Sequence, residues 1–294
     1  MRVDIKPGKY VVAVSGGVDS MVLLDLLAKK PDIRLIVAHF NHGIRPDSAK
    51  DEELVRRTAL RTGLTFKLGY GRLGPGSSEE TARKARYKFL KEVKNEYGAD
   101  SIITAHHQDD LIETALLNTM RGTGRKGLVA IAMNQEITRP LLRYKKEEIM
   151  RYAAIKGIEW REDGTNDDNK YLRNAVRKEL QRRLTSGARD EIVKNIENVA
   201  KIQHDLEDLI AKLSHNLIID THISRDKFAL LPVDVANELI AYWLRERNVK
   251  DFDNKTINRL NIALRTFKAG TICPVKGSLK LRIGIKTAEF TTSP

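Results

Sequence analysis

Six residues, Ser15-Gly16-Gly17-Val18-Asp19-Ser20, put two glycines, two hydroxyls and a carboxylate into one short stretch. Paired glycines let main chain approach a ligand closely, and the hydroxyls add hydrogen-bond donors. Asp19 supplies a carboxylate of the kind that holds a magnesium ion. The stretch follows the apolar run Tyr10–Val14 and precedes the apolar-rich Met21–Leu27. These read as a buried strand and a helix. The loop therefore lies at a helix N-terminus, where unpaired N–H groups and the helix dipole favour an anion. A plain strand-to-helix turn with Asp19 or Ser20 as N-cap is the simpler alternative. A cap needs no second glycine and no flanking serines, so phosphate binding is the better reading.

Two further clusters carry chemistry. His39-Phe40-Asn41-His42-Gly43-Ile44-Arg45, followed by Ser48, emerges from a second strand-like run. Its two histidines lack a third metal ligand at a recognisable spacing, so contacts to adenine or ribose fit better than a metal, while the spacing alone suits surface histidines in a loop about equally. The third cluster is Ala105-His106-His107-Gln108-Asp109-Asp110-Leu111-Ile112-Glu113-Thr114. Asp110 and Glu113 share one helical face. First-turn acids also complement a helix dipole, but three carboxylates with two histidines exceed what that requires. An acidic pocket beside a nucleotide site suits a metal or a cationic substrate. Farther on, Lys170, Arg173, Arg177, Lys178, Arg182 and Arg183 make a basic helix. With Arg173 and Arg177 on one face, phosphate or nucleotide binding is favoured over a merely solvated surface.

These clusters must be positioned by a sheet. Strand-like runs at Tyr10–Val14, Arg34–Ala38, Thr65–Leu68 and Ser101–Ala105 alternate with helical patterns around Met21–Lys29, Ala49–Thr62 and Glu79–Tyr97. Such alternation predicts βαβ units and a doubly wound parallel sheet, which binds ligands at the carboxyl ends of its strands. Ser77 and Glu80 have capping-box spacing, and Gly63 and Gly98 suit helix stops. Beyond Gly157 come a polar loop, Asp163–Asp168, and the basic stretch Tyr171–Leu184. A long helical stripe follows, through Ile192, Ile196, Val199, Ile202, Leu206, Leu209 and Leu213, then a shorter helix from Pro232 to Arg247 and a weak hairpin at Ser278–Ile285. The expected organisation is a nucleotide-binding catalytic domain over 1–190, a helical linker over 191–216, and a smaller α+β domain over 217–294. Two G-x-G-x-x-G strings, from Gly69 and Gly122, lack the strand–turn–helix setting of a dinucleotide fingerprint and read as loops.

The 294 residues include 52 Lys+Arg against 39 Asp+Glu, a net charge of +13, which suits a polyanionic partner or an ordinary basic protein about equally. Cys273 is the single cysteine, so neither an intrachain disulfide nor a cysteine zinc site can form. No apolar run is long enough to span a membrane, and residues 1–8 lack the core of a signal peptide. A cytoplasmic location without membrane attachment is expected.

The Ser15–Ser20 loop resembles the pyrophosphate-binding loop of the ATP-pyrophosphatase superfamily; no Walker loop occurs in the chain. From about residue 9 to about residue 180 the chain resembles the tRNA(Ile)-lysidine synthetase family. The likeness is carried by that loop, His39-x-Asn41-His42-x-x-Arg45, Glu80-x-x-Arg83-x-x-Arg86-Tyr87 and His106-His107-x-Asp109-Asp110-x-x-Glu113-Thr114. Arg121-Gly122-Thr123-Gly124, Asp163-x-Thr165-Asn166 and Tyr171-x-Arg173-Asn174-x-x-Arg177 complete the order. Family members often have glutamine where Leu111 stands and leucine where Ile44 stands. With one appended domain the chain resembles the family's short form.

The resemblance implies an adenine nucleotide alpha hydrolase-like fold, with ATP and magnesium (Mg2+) as cofactors. It also implies free L-lysine and tRNA(Ile) with a CAU anticodon as partners, and it allows a homodimer. It places Ser15, Gly16, Gly17, Val18, Asp19, Ser20 and His39 on ATP, with Asp19 on the magnesium. Arg86 would face the α-phosphate, and His106 would assist proton removal. Asp110 and Glu113 would take the lysine ammonium, while Arg121, Arg173 and Arg177 would meet the tRNA. Three rivals stand beside it: a tRNA thiolase, disfavoured by the single cysteine; an amidotransferase, disfavoured by the lack of a catalytic N-terminal cysteine; and a tRNA-binding protein without catalysis.

Overall fold

The computed structural model describes residues 1–43, 47–71, 79–133, 136–162, 172–249 and 252–292, without the side chains of residues 79, 172–174 and 181. The expectations at Ile44, Arg45, Ser77, Asp163–Asp168, Lys170 and Tyr171, and for the side chain of Arg173, lie outside the described residues.

Four β/α alternations open the chain: β1 (Gly8–Ala13), α1 (Val18–Ala28), β2 (Ile33–Asn41), α2 (Ser48–Arg61), β3 (Thr65–Tyr70), α3 (Glu79–Tyr97), β4 (Ser101–Ile103) and α4 (Gln108–Met120). Two short helices, α5 (Arg125–Leu128) and α6 (Ala130–Met133), lead to β5 (Ile137–Thr138), followed by α7 (Lys146–Lys156), α8 (Leu172–Arg183) and α9 (Ser186–Leu217). The strands form one parallel sheet in the order β3-β2-β1-β4-β5. Two-residue β5 has no sequence pattern of its own; it exists through its pairing with β4.

Val11 and Val12 are both fully buried on adjacent positions of β1, so the sheet is covered on both faces. One face carries Val12, Leu35, Val37 and Ile103 against α1, α2 and α7; the other carries Val11, Ile36 and Ile102 against Leu90 and Val93 of α3. This double covering is the doubly wound arrangement, and it explains the near-continuous apolar strands. Gly63 (φ +67°) and Gly98 (φ +56°) end α2 and α3 in the left-handed region. Leu64 N–H reaches the Ala59 carbonyl, and Ala99 N–H the Lys94 carbonyl, each at 2.9 Å, closing both helices in the manner of a glycine stop.

The chain divides into two compact units, Met1–Ala200 and Lys201–Pro294, and α9 runs through the division. Beyond α9 the second unit holds β6 (Ile218–Ile219), β7 (His222–Ser224), α10 (Arg225–Ala229), α11 (Val233–Glu246), α12 (Asn254–Thr266), β8 (Ile272–Lys276), β9 (Leu279–Ile283) and β10 (Thr287–Thr292). The terminal hairpin read from the sequence is part of a five-stranded antiparallel sheet, β6-β7-β10-β9-β8. Trp243, Phe228, Leu239 and Leu281 fill its core with the helices.

Replacing Leu23, fully buried in α1, by alanine should cost about 2–5 kcal/mol of unfolding free energy in urea, because the cavity cannot fully collapse. The same change at exposed Leu60 should stay within about 0.5 kcal/mol.

Candidate active site

In the order β3-β2-β1-β4-β5 the chain reverses direction between β1 and β4, the place where such sheets bind ligands. A cavity of about 360 Å³ opens there, lined among others by Ser15, Asp19, Ser20, His39, Asn41, Arg86, Thr104 and His106. Three segments separate in sequence thus reach one site because their strands end side by side.

The Ser15–Ser20 loop is tied from within. Ser20 Oγ accepts from Ser15 N–H at 3.1 Å and from Gly16 N–H at 3.2 Å, and donates to the Gly17 carbonyl at 2.8 Å. A hydroxyl offers one donor and two acceptor positions, so Ser20 is fully used in holding the loop. Neither Asp19 nor Ser20 caps α1; Gly17 is the N-cap, and no side chain caps it. Gly16 sits at φ +96°, and a Cβ there would lie 3.4 Å from Cβ of Asp51. The Gly16 carbonyl accepts from Arg161 N–H at 3.0 Å, while Arg161 Nε pairs with buried Asp51 at 2.6 Å. That brace comes from a segment with no sequence signal.

His39 is buried, with Nδ1 2.8 Å from the Val14 carbonyl, and burial pulls its pKa down. It therefore joins β2 to the start of the loop. Asn41 Oδ1 accepts from Gly43 N–H at 2.9 Å and shapes the turn beneath His42. Arg86, on α3, reaches the same cavity with its guanidinium beside the Tyr87 ring.

The two neighbouring histidines separate. His106 faces the cavity, with Nδ1 2.7 Å from Thr104 Oγ1. Burial, aided by Arg139, Arg83 and Arg86, pulls its pKa to about 3 despite the opposing field of Asp110. His107 is the N-cap of α4: Nδ1 accepts from Asp109 N–H, and Asp110 Oδ2 accepts from His107 N–H at 3.0 Å. A main-chain N–H only donates, so the His107 hydrogen sits on Nε2, which lies 3.5 Å from Asp110 Oδ2 and 3.9 Å from Asp19 Oδ1. One imidazole thus stands between the loop carboxylate and the acidic face of α4.

The acids of α4 are paired with later residues. Asp109 meets Arg189 at 2.6 Å. Glu113, 1% exposed, accepts from Arg177 Nε at 2.6 Å and Nη2 at 3.1 Å, and Asp110 accepts from the same guanidinium at 3.4 Å. The sequence reading set Arg177 beside Arg173 on a tRNA-facing surface. Here Arg177 turns inward, because a planar guanidinium meets both carboxylate oxygens of buried Glu113 at once. Arg121, at the C-terminus of α4, is exposed. Lys146, which no motif marked, places Nζ 2.6 and 2.7 Å from the two oxygens of Asp19.

Among the described residues no group of three or more His, Cys, Asp or Glu side chains has the arrangement of a metal site. A single carboxylate in a glycine-rich loop at a helix N-terminus still fits magnesium, which is held by one or two carboxylates together with substrate phosphates and water.

Residues 2–184 match the family model described as the PP-loop domain, an ATP-binding family. The chain belongs to the PP-loop family. A protein named tRNA(Ile)-lysidine synthase from Francisella tularensis subsp. novicida is 29% identical over 274 residues, covering 90% of this chain and 69% of that one. One of the same name from a Thermotoga species is 41% identical over 184 residues, covering 59% of this chain and 44% of that one. Among solved structures, the U34-tRNA thiolase NcsA from Methanococcus maripaludis superposes with a TM-score of 0.54 at 19% identity, covering 67% of this chain and 74% of that one. That likeness speaks to the PP-loop fold alone.

The low pKa of His106 makes folding pH-dependent. In the unfolded chain this group takes its proton near 6.5, in the folded one near 3. Its contribution is complete above about 6.5 and should fall by roughly 1.4 kcal/mol per pH unit between those values. His106→Gln should flatten that part of the stability profile, measured by urea unfolding across pH, and the wild-type His106 ring should show no NMR titration between pH 5 and 8.

Proposed function

We infer that this chain is an ATP-dependent ligase that joins L-lysine to C2 of the wobble cytidine of tRNA(Ile) bearing a CAU anticodon. The supporting observation is that a phosphate loop and a buried carboxylate pair stand on either side of His107, so a nucleotide and a cationic amine can meet at one centre. The names of the similar proteins and the order of the sequence motifs support the same reading.

In the first step the C2 oxygen of cytidine attacks the α-phosphorus of ATP, and pyrophosphate leaves. Gly16, Gly17 and Ser15 would hold the leaving group at the loop. Asp19 would hold magnesium, which neutralises phosphate charge when bound. Arg86 would meet the α-phosphate, where a guanidinium stabilises charge as it develops. In the second step the ε-amine of lysine attacks C2, the C2–oxygen bond breaks, and AMP leaves. Asp110 and Glu113 would orient that amine; they already bind a cation, the Arg177 guanidinium.

The proton lost by the amine needs an acceptor more basic than His106, whose pKa near 3 suits a hydrogen-bonding role. Exposed Arg121 and the basic helix α8 would meet the tRNA backbone, with Arg177 acting from inside as partner of the carboxylates. A homodimer is compatible with this reading. A tRNA substrate and ATP fit a cytoplasmic setting, and no described helix is long and apolar enough to cross a membrane.

The decisive assay incubates the protein with ATP, labelled lysine and unmodified tRNA with a CAU anticodon; label should enter the RNA, and its absence with a folded protein would overturn the reading. Glu113→Gln should weaken lysine recognition by on the order of 2–3 kcal/mol, since a cation loses its charged partner. tRNA-dependent pyrophosphate release should survive in that variant while lysine transfer is lost. Binding to tRNA should also fall steeply with salt, as expected when Lys and Arg displace counterions.

A further inference from the structure

Lys146 is the first residue of α7, an 11-residue helix. A cation at a helix N-terminus faces the positive end of the dipole, which is locally unfavourable. The structure offsets this with a two-oxygen contact to Asp19, 127 residues away in sequence. The helix is held in place: Ile149 and Ala153 are fully buried in the core shared with α1, and Tyr152 donates to Asp25 at 2.9 Å. Its first turn therefore stays beside the loop whatever the Lys146 side chain does. Both Lys146 and Asp19 are partly exposed, at 33% and 28%, so the ammonium has room to turn.

A divalent cation on Asp19 would compete directly with this ammonium for the same two oxygens. Once displaced, a flexible four-carbon stem keeps the charge within a few ångströms of the loop, where the strongest available anion is the phosphate chain. We propose that Lys146 is a phosphate-binding residue of the loop, held on Asp19 until a divalent cation takes that carboxylate. The loop then gains two positive charges together, one from the metal and one from the chain. The inference rests on the loop being the pyrophosphate site and is independent of the tRNA substrate.

The test is calorimetric titration of the full chain with inorganic pyrophosphate, with EDTA and with magnesium. Lys146→Met should lower pyrophosphate affinity by roughly tenfold or more, the scale of one charge-assisted contact. It should also lower the magnesium concentration needed for half-maximal ATP binding, because Asp19 loses its internal competitor. Asp19→Asn should raise pyrophosphate affinity in EDTA by releasing Lys146, and Lys146→Arg should retain most of the wild-type affinity. A purely structural ion pair predicts a different pattern, with both variants losing affinity together and the magnesium requirement rising. That pattern, or unchanged pyrophosphate affinity in Lys146→Met, would overturn the proposal. Failure of the wild-type chain to bind pyrophosphate at all would instead overturn the reading of the loop.

Discussion

The register of β4 against β1 decides whether the site exists. Ile103 lies opposite Val12, so both strands run out at the same level of the sheet. The chain leaving β1 becomes the loop that carries Asp19; the chain leaving β4 becomes the N-terminus of α4, with His107 as its cap. Because His107 spends Nδ1 on the main chain of its own helix, its Nε2–H is left to face Asp110 and Asp19 together. A shift of β4 by one residue would turn its side chains to the opposite faces of the sheet and carry the cap away from the loop. The short strand is thus the element on which the joint position of the two carboxylates depends.

Around that junction the charges follow a consistent division. The acids come from the β/α alternations: Asp19, Asp51, Asp109 and Glu113. Their basic partners, Lys146, Arg161, Arg189 and Arg177, all come from the chain after β5. Removing one partner of a buried pair leaves a charge whose desolvation is uncompensated, at a cost of several kcal/mol. The sheet alone would therefore be a poor folding unit, and α7, α8 and the start of α9 belong to it electrostatically. This gives a physical reason for the first unit to reach Ala200, beyond the last strand.

Elements with a strong local pattern were legible in the sequence. The four alternations, the glycine stops at Gly63 and Gly98, and the place of the Ser15–Ser20 loop followed from apolar runs and turn residues. The clusters at His39 and His106 were recognisable because they follow predicted strands. What local pattern could not reveal was contact across the chain. Lys146 and Arg161 sit in ordinary helical and loop contexts, and their partners lie more than a hundred residues away. Arg177 read as a surface cation because its helix is basic all along, and only the fold brings buried Glu113 to it. β5, two residues long, has no periodicity to read.

The adjacent histidines show how the same residue type is given two tasks by its surroundings. His107 is fixed by its helix and serves as a connector. His106 is disfavoured in its charged form chiefly by burial in the cavity, with the fields of Arg139, Arg83 and Arg86 added. Those arginine fields are the ones a bound triphosphate would offset, since an anion favours the charged form of a nearby imidazole. A group that is neutral beforehand makes no ion pair that must break as the nucleotide enters, and it can still hydrogen-bond an oxygen that gains charge. Basic side chains around a neutral imidazole give the cavity a field suited to a polyanion, while the carboxylates of α4 beyond His107 already have their cationic partners in Arg177 and Arg189.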